Sequence, residues 1–185
     1  MNKTPQMHFN GLWPTMLARR TLPDFERPTA DLVTHILEQE AREPDFTARY
    51  QEQNFFASAH SAVIWLKNHV DQTASALISQ SGVKDIPAWT LFSWYNVNRY
   101  GDHHAPHTHP HAYLSGTYYV QLPPALANGD DPNINSACIA FYDPRNSANM
   151  ISVGCEPDAQ PAHIVRPTPG SLLITDPLIC WDCDD

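Results

Sequence analysis

The amino-terminal half of the chain repeats its apolar residues at the three- and four-residue intervals of amphipathic helices. A first apolar stripe follows Thr29, a candidate N-cap, and stops at Pro44. A second stripe runs from Ala59 to Gly82, a residue type that often ends helices. We therefore predict two helices within residues 1–86, and we expect them to pack on a sheet rather than to carry chemistry.

After Pro87 the pattern changes to that of short strands rich in aromatic and β-branched residues and separated by Pro, Gly, Asn and Asp. The predicted strands are Trp89–Asn98, Tyr113–Leu122, Ala137–Tyr142, Ala162–Arg166 and Ser171–Thr175. Two polar stretches, 123–135 and 146–161, predict loops. Helices followed by short strands indicate an α+β fold, in which a β-sandwich or barrel carries helices on one side.

The composition limits the size of the core and the choice of partners. The chain has 185 residues, of which 42% are hydrophobic and 17% charged, enough to bury the core of one domain. Its formal net charge of -9, with 11 scattered Lys and Arg residues, argues against a surface for nucleic acid or for an anionic membrane. We expect a single domain over 1–185, with a mainly helical part (1–86) and a part that carries the strands and the site (87–185).

The amino terminus and the cysteines bear on location. Residues 1–8 lack the apolar region of a secretory signal, and no run approaches the roughly 20 apolar residues that span a bilayer. The four cysteines lie in the carboxyl-terminal half and do not resemble a secreted disulfide framework. Cys180 and Cys183 have the spacing of a redox or zinc pair, but without a second such pair we interpret it as coincidental. We expect a cytoplasmic protein.

The most distinctive chemistry lies in the segment 101–111, which holds five of the ten histidines of the chain. His107 and His109 are two residues apart, so in an extended segment their imidazoles point to the same face. Two such nitrogens can bind one metal ion, and we predict a metal site at this pair. His103, His104 and His111 are interpreted as solvated or supporting residues, because a metal site uses few histidines and orients them with neighbours.

Several short motifs follow one another between residues 89 and 174. They are Trp94–Asp102, His107–Pro110, Leu114–Val120, Phe141–Arg145 and Pro169–Ile174. In order and spacing they resemble the successive motifs of the iron(II)- and 2-oxoglutarate-dependent oxygenases of bacteria and phages. The helical amino-terminal half is similar to this family in layout only.

The resemblance implies a double-stranded β-helix, or jelly roll, in the carboxyl-terminal half, with the helices packed on one side. It also implies iron(II) held by two histidines and usually a carboxylate, with 2-oxoglutarate as the cosubstrate. Three protein ligands on one face of iron leave positions for an oxoacid and for oxygen. His107 would be the first ligand, and His109 stands where most oxygenases of this fold have Asp or Glu.

The resemblance weakens after Thr175. Relatives continue into a distal histidine and then a basic residue that pairs with 2-oxoglutarate, and neither occurs between Asp176 and Asp185. Either the product is shortened or other groups substitute, and loss of the last strand would open a sheet edge and favour a homodimer. Asp176 is the candidate third metal ligand, with Asp182 and Cys180 as alternatives.

Three residues are candidates for binding the cosubstrate. Arg145 lies in a matched motif and is preferred to Arg166 as the cation for the oxoacid. Asn96 would be a lone amide in an apolar strand and must find partners, either within the barrel or, as we prefer, facing the pocket. Tyr118 completes the set, although Tyr118 and Trp94 are of types more often found in a core.

These observations leave three hypotheses open. The chain is a 2-oxoglutarate-dependent oxygenase with iron on His107 and His109, or a cupin-like protein that binds a metal without 2-oxoglutarate, or a catalytically silent relative used for binding or assembly. No residue identifies a substrate, which can be a small molecule or a side chain of a peptide.

Overall fold

The structure, a computed structural model, describes residues 15–42, 54–99, 102–123, 138–144, 162–176 and the backbone of 180–184. Its elements are, in chain order, β1 (Leu17–Thr21), α1 (Glu26–Arg42), a short 3-10 helix (Phe55–Ala57), α2 (Ser61–Gln80), β2 (His103–His107), β3 (Ser115–Tyr118), β4 (Cys138–Tyr142), β5 (Ala162–Val165), β6 (Ser171–Thr175) and β7 (Cys180–Asp184). The predicted loops 123–135 and 146–161 lie outside the described residues, except for Pro123.

Both predicted helices are present. Helix α2 ends at Gln80, and Gly82 beyond it adopts a φ of 88°, as expected for a glycine that ends a helix. Helix α1 starts at Glu26, before the predicted N-cap at Thr29, so that assignment is wrong. Pro28 is tolerated inside the first turn, because the first N–H groups of a helix have no intrahelical partner. Pro44, the predicted stop, lies outside the described residues.

In the described part of the chain, seven strands form two antiparallel sheets. The first sheet has the order β1-β6-β3, and the second has the order β2-β7-β4-β5. Residues Ile139, Phe141, Val165 and Leu173, which come from both sheets, form one buried cluster. The two sheets therefore pack against each other, and the α+β class predicted from the sequence is confirmed.

Strand β6 lies between two layers of the core. All five of its residues are buried. Leu172 and Ile174 pack with the helices, in a cluster that includes Leu32 of α1 and Val63 of α2, whereas Leu173 packs between the sheets. Because alternate residues of a strand point to opposite faces, β6 joins the helical layer to the second sheet.

The strand predictions succeed in part. The observed β4, β5 and β6 agree with their predictions to within one residue at each end, and β3 covers the middle of Tyr113–Leu122. The predicted strand Trp89–Asn98 is wrong, because this segment is described in full and none of its residues lies in a strand. Strands β1 and β2 were not predicted, because neither has the alternating apolar pattern of a half-buried strand.

The carboxyl-terminal segment corrects a further expectation. The sequence suggested that the last strand of the sheet was lost, but Cys180–Asp184 forms β7 and pairs with β2 on one side and β4 on the other. Strand β7 therefore lies inside the second sheet, and no unpaired edge is left at this position. The homodimer was predicted from an unpaired edge here. It stays a prediction, but this edge no longer supports it.

The helices also bear on the expected location. In the part of the chain that the structure describes, neither helix is long and apolar enough to cross a membrane. The cytoplasmic location stays a prediction.

Candidate metal site at the end of strand β2

A turn fixes the start of β2. The Arg99 backbone N–H donates to the Asp102 carboxylate at 2.7 Å, and the Asp102 N–H donates to the Arg99 carbonyl at 2.9 Å. The Arg99 guanidinium also reaches Glu40 of α1 at 2.7 Å, and the Glu40 side chain is only 15% exposed. The histidine-rich strand is therefore tied at its beginning to the helical layer.

The pairing of β2 with β7 is irregular. His104 lies opposite Cys183 and His107 lies opposite Trp181, with a register shift between the two pairs. Strand β2 is at the edge of its sheet, and Pro106 falls within the irregular part. Proline lacks the N–H that a ladder needs, so edges and bulges are the places where a sheet accepts it.

The rings of His107 and His109 lie together at the end of this strand. Their centroids are 4.9 Å apart, and the ring planes are nearly perpendicular, at 81°. The sequence predicted this proximity from an extended segment. In the structure β2 ends at His107, and His109 begins a turn in which its carbonyl accepts the N–H of Ala112 at 3.0 Å.

One hydrogen bond determines the tautomer of His107. Its Nδ1–H donates to the carbonyl of Ala105 at 2.8 Å. In the neutral ring the proton is then on Nδ1 and the lone pair on Nε2, which is the nitrogen that a metal would use.

His109 occupies a more enclosed position than His107. Its ring lies 5.9 Å from that of Trp94, and burial, followed by the proximity of His107, lowers its pKa. A lowered pKa keeps the imidazole neutral near pH 7, and only the neutral ring can bind a metal. Both predicted histidines therefore combine proximity with a donor nitrogen.

The remaining histidines of the segment are arranged differently. His103 and His111 are exposed, and the Nε2 of His104 lies 3.3 Å from the side-chain oxygen of Asn98. These positions agree with their interpretation as solvated or supporting residues.

The third metal ligand is not established. Asp176 directly follows β6 in the other sheet, and no group of three or more His, Cys, Asp or Glu residues that could hold a metal occurs among the described side chains. In the backbone register Trp181 lies opposite His107, whereas Cys180 lies opposite Tyr142 and Asp182 opposite Ala140. The assignment of Asp176 stays a prediction.

Two of the predicted cosubstrate residues lie elsewhere than expected. The Tyr118 hydroxyl is 2.6 Å from that of Thr29 in α1, and its ring meets Trp65 of α2 edge-on. Tyr118 thus packs on the helical face of its sheet, where burial raises its pKa, and not between the sheets. Asn96 is exposed, so the argument from a buried amide does not hold.

The two candidate arginines are placed as follows. Arg145, the preferred cation, lies outside the described residues. Arg166 follows β5, and its carbonyl accepts a hydrogen bond from the Arg19 guanidinium at 3.1 Å. Neither is assigned to the cosubstrate by these contacts.

Sequence reasoning missed two neighbours of the histidine pair. It treated Trp94 as a core residue, but the ring of Trp94 adjoins His109, and it did not anticipate the role of the Ala105 carbonyl. A proline inside a strand-forming segment was the available signal for the irregularity beside His107.

The fold and the site together define a class: an α+β protein with two packed antiparallel sheets and a candidate two-histidine metal site at the end of an edge strand. Residues 92–177 match the family model described as "Putative 2OG-Fe(II) oxygenase", and this match confirms the oxygenase resemblance seen in the motifs of this region. Among curated proteins, none matches the chain.

Proposed function

We propose that the protein is an iron(II)- and 2-oxoglutarate-dependent dioxygenase of the hydroxylase type, with a double-stranded β-helix as its core. The family match supports the general class. The observation that carries the proposal is the His107–His109 pair, whose ring centroids are 4.9 Å apart within the matched region.

The topology supports the jelly-roll core. The chain passes from β2 in the second sheet to β3 in the first, returns to the second for β4 and β5, crosses to the first for β6 and returns to the second for β7. Every pairing between the described strands is antiparallel, and a buried cluster joins the two sheets. Alternation of this kind between two packed sheets is typical of jelly rolls.

The donor atoms at the site fit iron(II) as a two-histidine centre. Imidazole is a suitable ligand for iron, and the bond to the Ala105 carbonyl gives His107 the tautomer and ring orientation of a metal ligand. His109 is kept neutral by burial and by its neighbour. Asp176 remains our proposal for a third ligand, and its carboxylate is of the type that usually completes such a site.

When bound, iron(II) with 2-oxoglutarate would supply hydroxylation of a substrate C–H group by O2, in which one oxygen atom enters the substrate and the other enters succinate as 2-oxoglutarate loses CO2. The residues of this chain would hold and shield that centre. His107 and His109 would bind the metal, and the Trp94 ring would cover one side of His109 and limit access of water. The substrate stays undefined.

Iron uptake by variants tests the assignment. Anaerobic equilibrium dialysis with iron(II) should show about one bound ion for the wild-type protein, and His107→Ala and His109→Ala should each weaken binding about 100-fold or more, because each removes one of few ligands. His111→Ala, an exposed histidine of the same segment, is the matched control and should bind as the wild type does. Unchanged binding in His107→Ala would show that the metal site lies elsewhere.

A second candidate function is metal binding without the cosubstrate, as in cupin-like proteins. It is favoured by the positions of two predicted cosubstrate residues, because Tyr118 packs on the helical face of its sheet and Asn96 is exposed. The two functions differ in one respect: an oxygenase should consume 2-oxoglutarate and release succinate slowly even without substrate, whereas a metal-binding protein should take up iron and leave 2-oxoglutarate unchanged.

A further inference from the structure

We infer that the bulge at Ala105–Pro106 is a positioning device for the histidine pair, and that Pro106 is a positioning residue of the metal site. The inference rests on the proposed function in that it concerns the same site. The backbone at this bulge orients the ligands that the proposed function assigns to the metal.

The register shows what the bulge changes. From His104 to His107 strand β2 advances three residues (107 − 104), whereas its partner β7 advances two, from Cys183 to Trp181 (183 − 181). Strand β2 therefore holds one extra residue, which is the definition of a bulge. In a regular ladder Pro106 would lie opposite Trp181 and His107 opposite Cys180, which would turn His107 to the other face of the sheet.

The extra residue is confined to this part of the strand. Upstream, the Arg99–Asp102 turn and the ion pair between Arg99 and Glu40 fix where β2 begins, so the strand cannot absorb the extra residue by sliding. Pro106 has no N–H to lose from the ladder, so it is suited to the unpaired position.

The bulge also orients the ring. The Ala105 carbonyl accepts the Nδ1–H of His107, two residues further on, at 2.8 Å. This contact leaves Nε2 as the donor nitrogen of a ring that stands at 81° to that of His109. The same irregularity therefore fixes the face, the tautomer and the orientation of the first ligand.

The first test replaces the proline. In Pro106→Ala the new N–H can join the ladder, and we expect the bulge to loosen and iron(II) affinity to fall about 10-fold or more, as when a supporting contact of a metal ligand is lost. Pro87→Ala, at an exposed proline outside the sheets, is the matched control and should keep full affinity. Deletion of Ala105 removes the extra residue and the carbonyl that accepts from His107, but it leaves His107 opposite Trp181. We expect a mixture of His107 tautomers and weaker iron(II) binding in this variant, with the far-ultraviolet circular dichroism of the wild type.

The second readout needs no metal. Long-range proton–nitrogen NMR of the metal-free protein should show His107 protonated at Nδ1 in the wild type and in Pro87→Ala, and a mixture of tautomers in Pro106→Ala. An unchanged His107 tautomer in Pro106→Ala would overturn the inference, and so would unchanged iron affinity in that variant. If the wild type binds no iron, the proposed function fails, and the tautomer measurement still decides the role of the bulge. Should Pro106→Ala not fold, the deletion variant gives the same two readouts.

Discussion

At the scale of single residues, Gly170 shows how closely the turn before β6 approaches the helical layer. Its φ is 82°, and a Cβ atom there would lie 2.5 Å from the ring of Phe25. The backbone N–H of Gly170 donates to Tyr119 and its carbonyl accepts from Leu22, so the turn joins the β3 region to the end of β1. A side chain at this position has neither a comfortable backbone conformation nor space.

We therefore predict that Gly170→Ala lowers the free energy of unfolding by about 3 kcal/mol or more, since left-handed strain of about 1–2 kcal/mol adds to a steric clash. Gly82→Ala is the matched control: its φ is 88°, but nothing lies within 4 Å of the added Cβ. It should lose only the strain. Urea unfolding of both variants measures the difference, and equal losses would argue against a clash at Gly170.

Tyr118 gives a second residue-scale prediction. Because its hydroxyl bonds to Thr29 on the helical face, Tyr118→Phe should lower the free energy of unfolding by about 1 kcal/mol, the usual net value of one such hydrogen bond. Iron and 2-oxoglutarate binding should be unchanged. Tyr113→Phe is the control, because Tyr113 is 69% exposed and its variant should keep full stability. Weakened 2-oxoglutarate binding in Tyr118→Phe would restore the role first predicted from the sequence.

At the scale of elements, the junction of α1 with the start of α2 contains two stacked histidines. The rings of His35 and His60 are 4.3 Å apart and nearly parallel, at 13°. The Gln39 side-chain amide donates to the Nε2 of His35 at 3.2 Å, a bond that requires this nitrogen to be unprotonated. Burial, and then His60, lower the pKa of His35 from its ordinary value of 6.5.

This arrangement predicts a dependence of stability on pH. The unfolded chain takes up a proton on His35 at a higher pH than the folded protein, so its contribution to stability is complete above about pH 6.5 and is lost as pH falls toward the lowered pKa. His35→Gln should show a smaller loss of unfolding free energy than the wild type between pH 7.5 and 5.5. His103→Gln, at an exposed histidine, should keep the wild-type dependence, and equal slopes for all three proteins would refute the prediction.

Elements differ in how well the sequence predicted them. Helix α2 and strand β6 were predicted because their apolar residues, periodic in α2 and continuous in β6, form patterns that are visible within a short stretch of sequence. Strands β1, β2 and β7 were missed because their residues, such as the two arginines of β1, do not favour strands by themselves. They become strands through pairing with distant partners, and such pairing is a tertiary effect.

The site was predictable to a similar extent. The spacing of His107 and His109 sufficed to predict a close pair, because it depends only on local geometry. The positions of Tyr118 and Asn96 depend on which face of the sheet meets the helices and on whether 89–98 forms a strand. Neither property can be deduced from residue spacing alone.

At the scale of the whole molecule, the candidate site is connected to both layers of the core. Helix α1 holds the start of β2 through Glu40 and Arg99, and β7 pairs along β2 from within its sheet. The histidine pair is thus placed by contacts that come from outside the segment 101–111. The family match begins at residue 92 and does not include α1, so the contact between Glu40 and the start of β2 lies partly outside the matched region.

The central claim is that His107 and His109 hold an iron ion to which 2-oxoglutarate binds. The most direct measurement is an anaerobic titration of the metal-free protein with iron(II) and then 2-oxoglutarate, followed by visible absorption. We predict a charge-transfer band that appears only when both are present, persists in His111→Ala and is lost in His107→Ala. Iron uptake without the band would contradict the oxygenase assignment and leave a metal-binding protein, and a band that survives in His107→Ala would contradict the site.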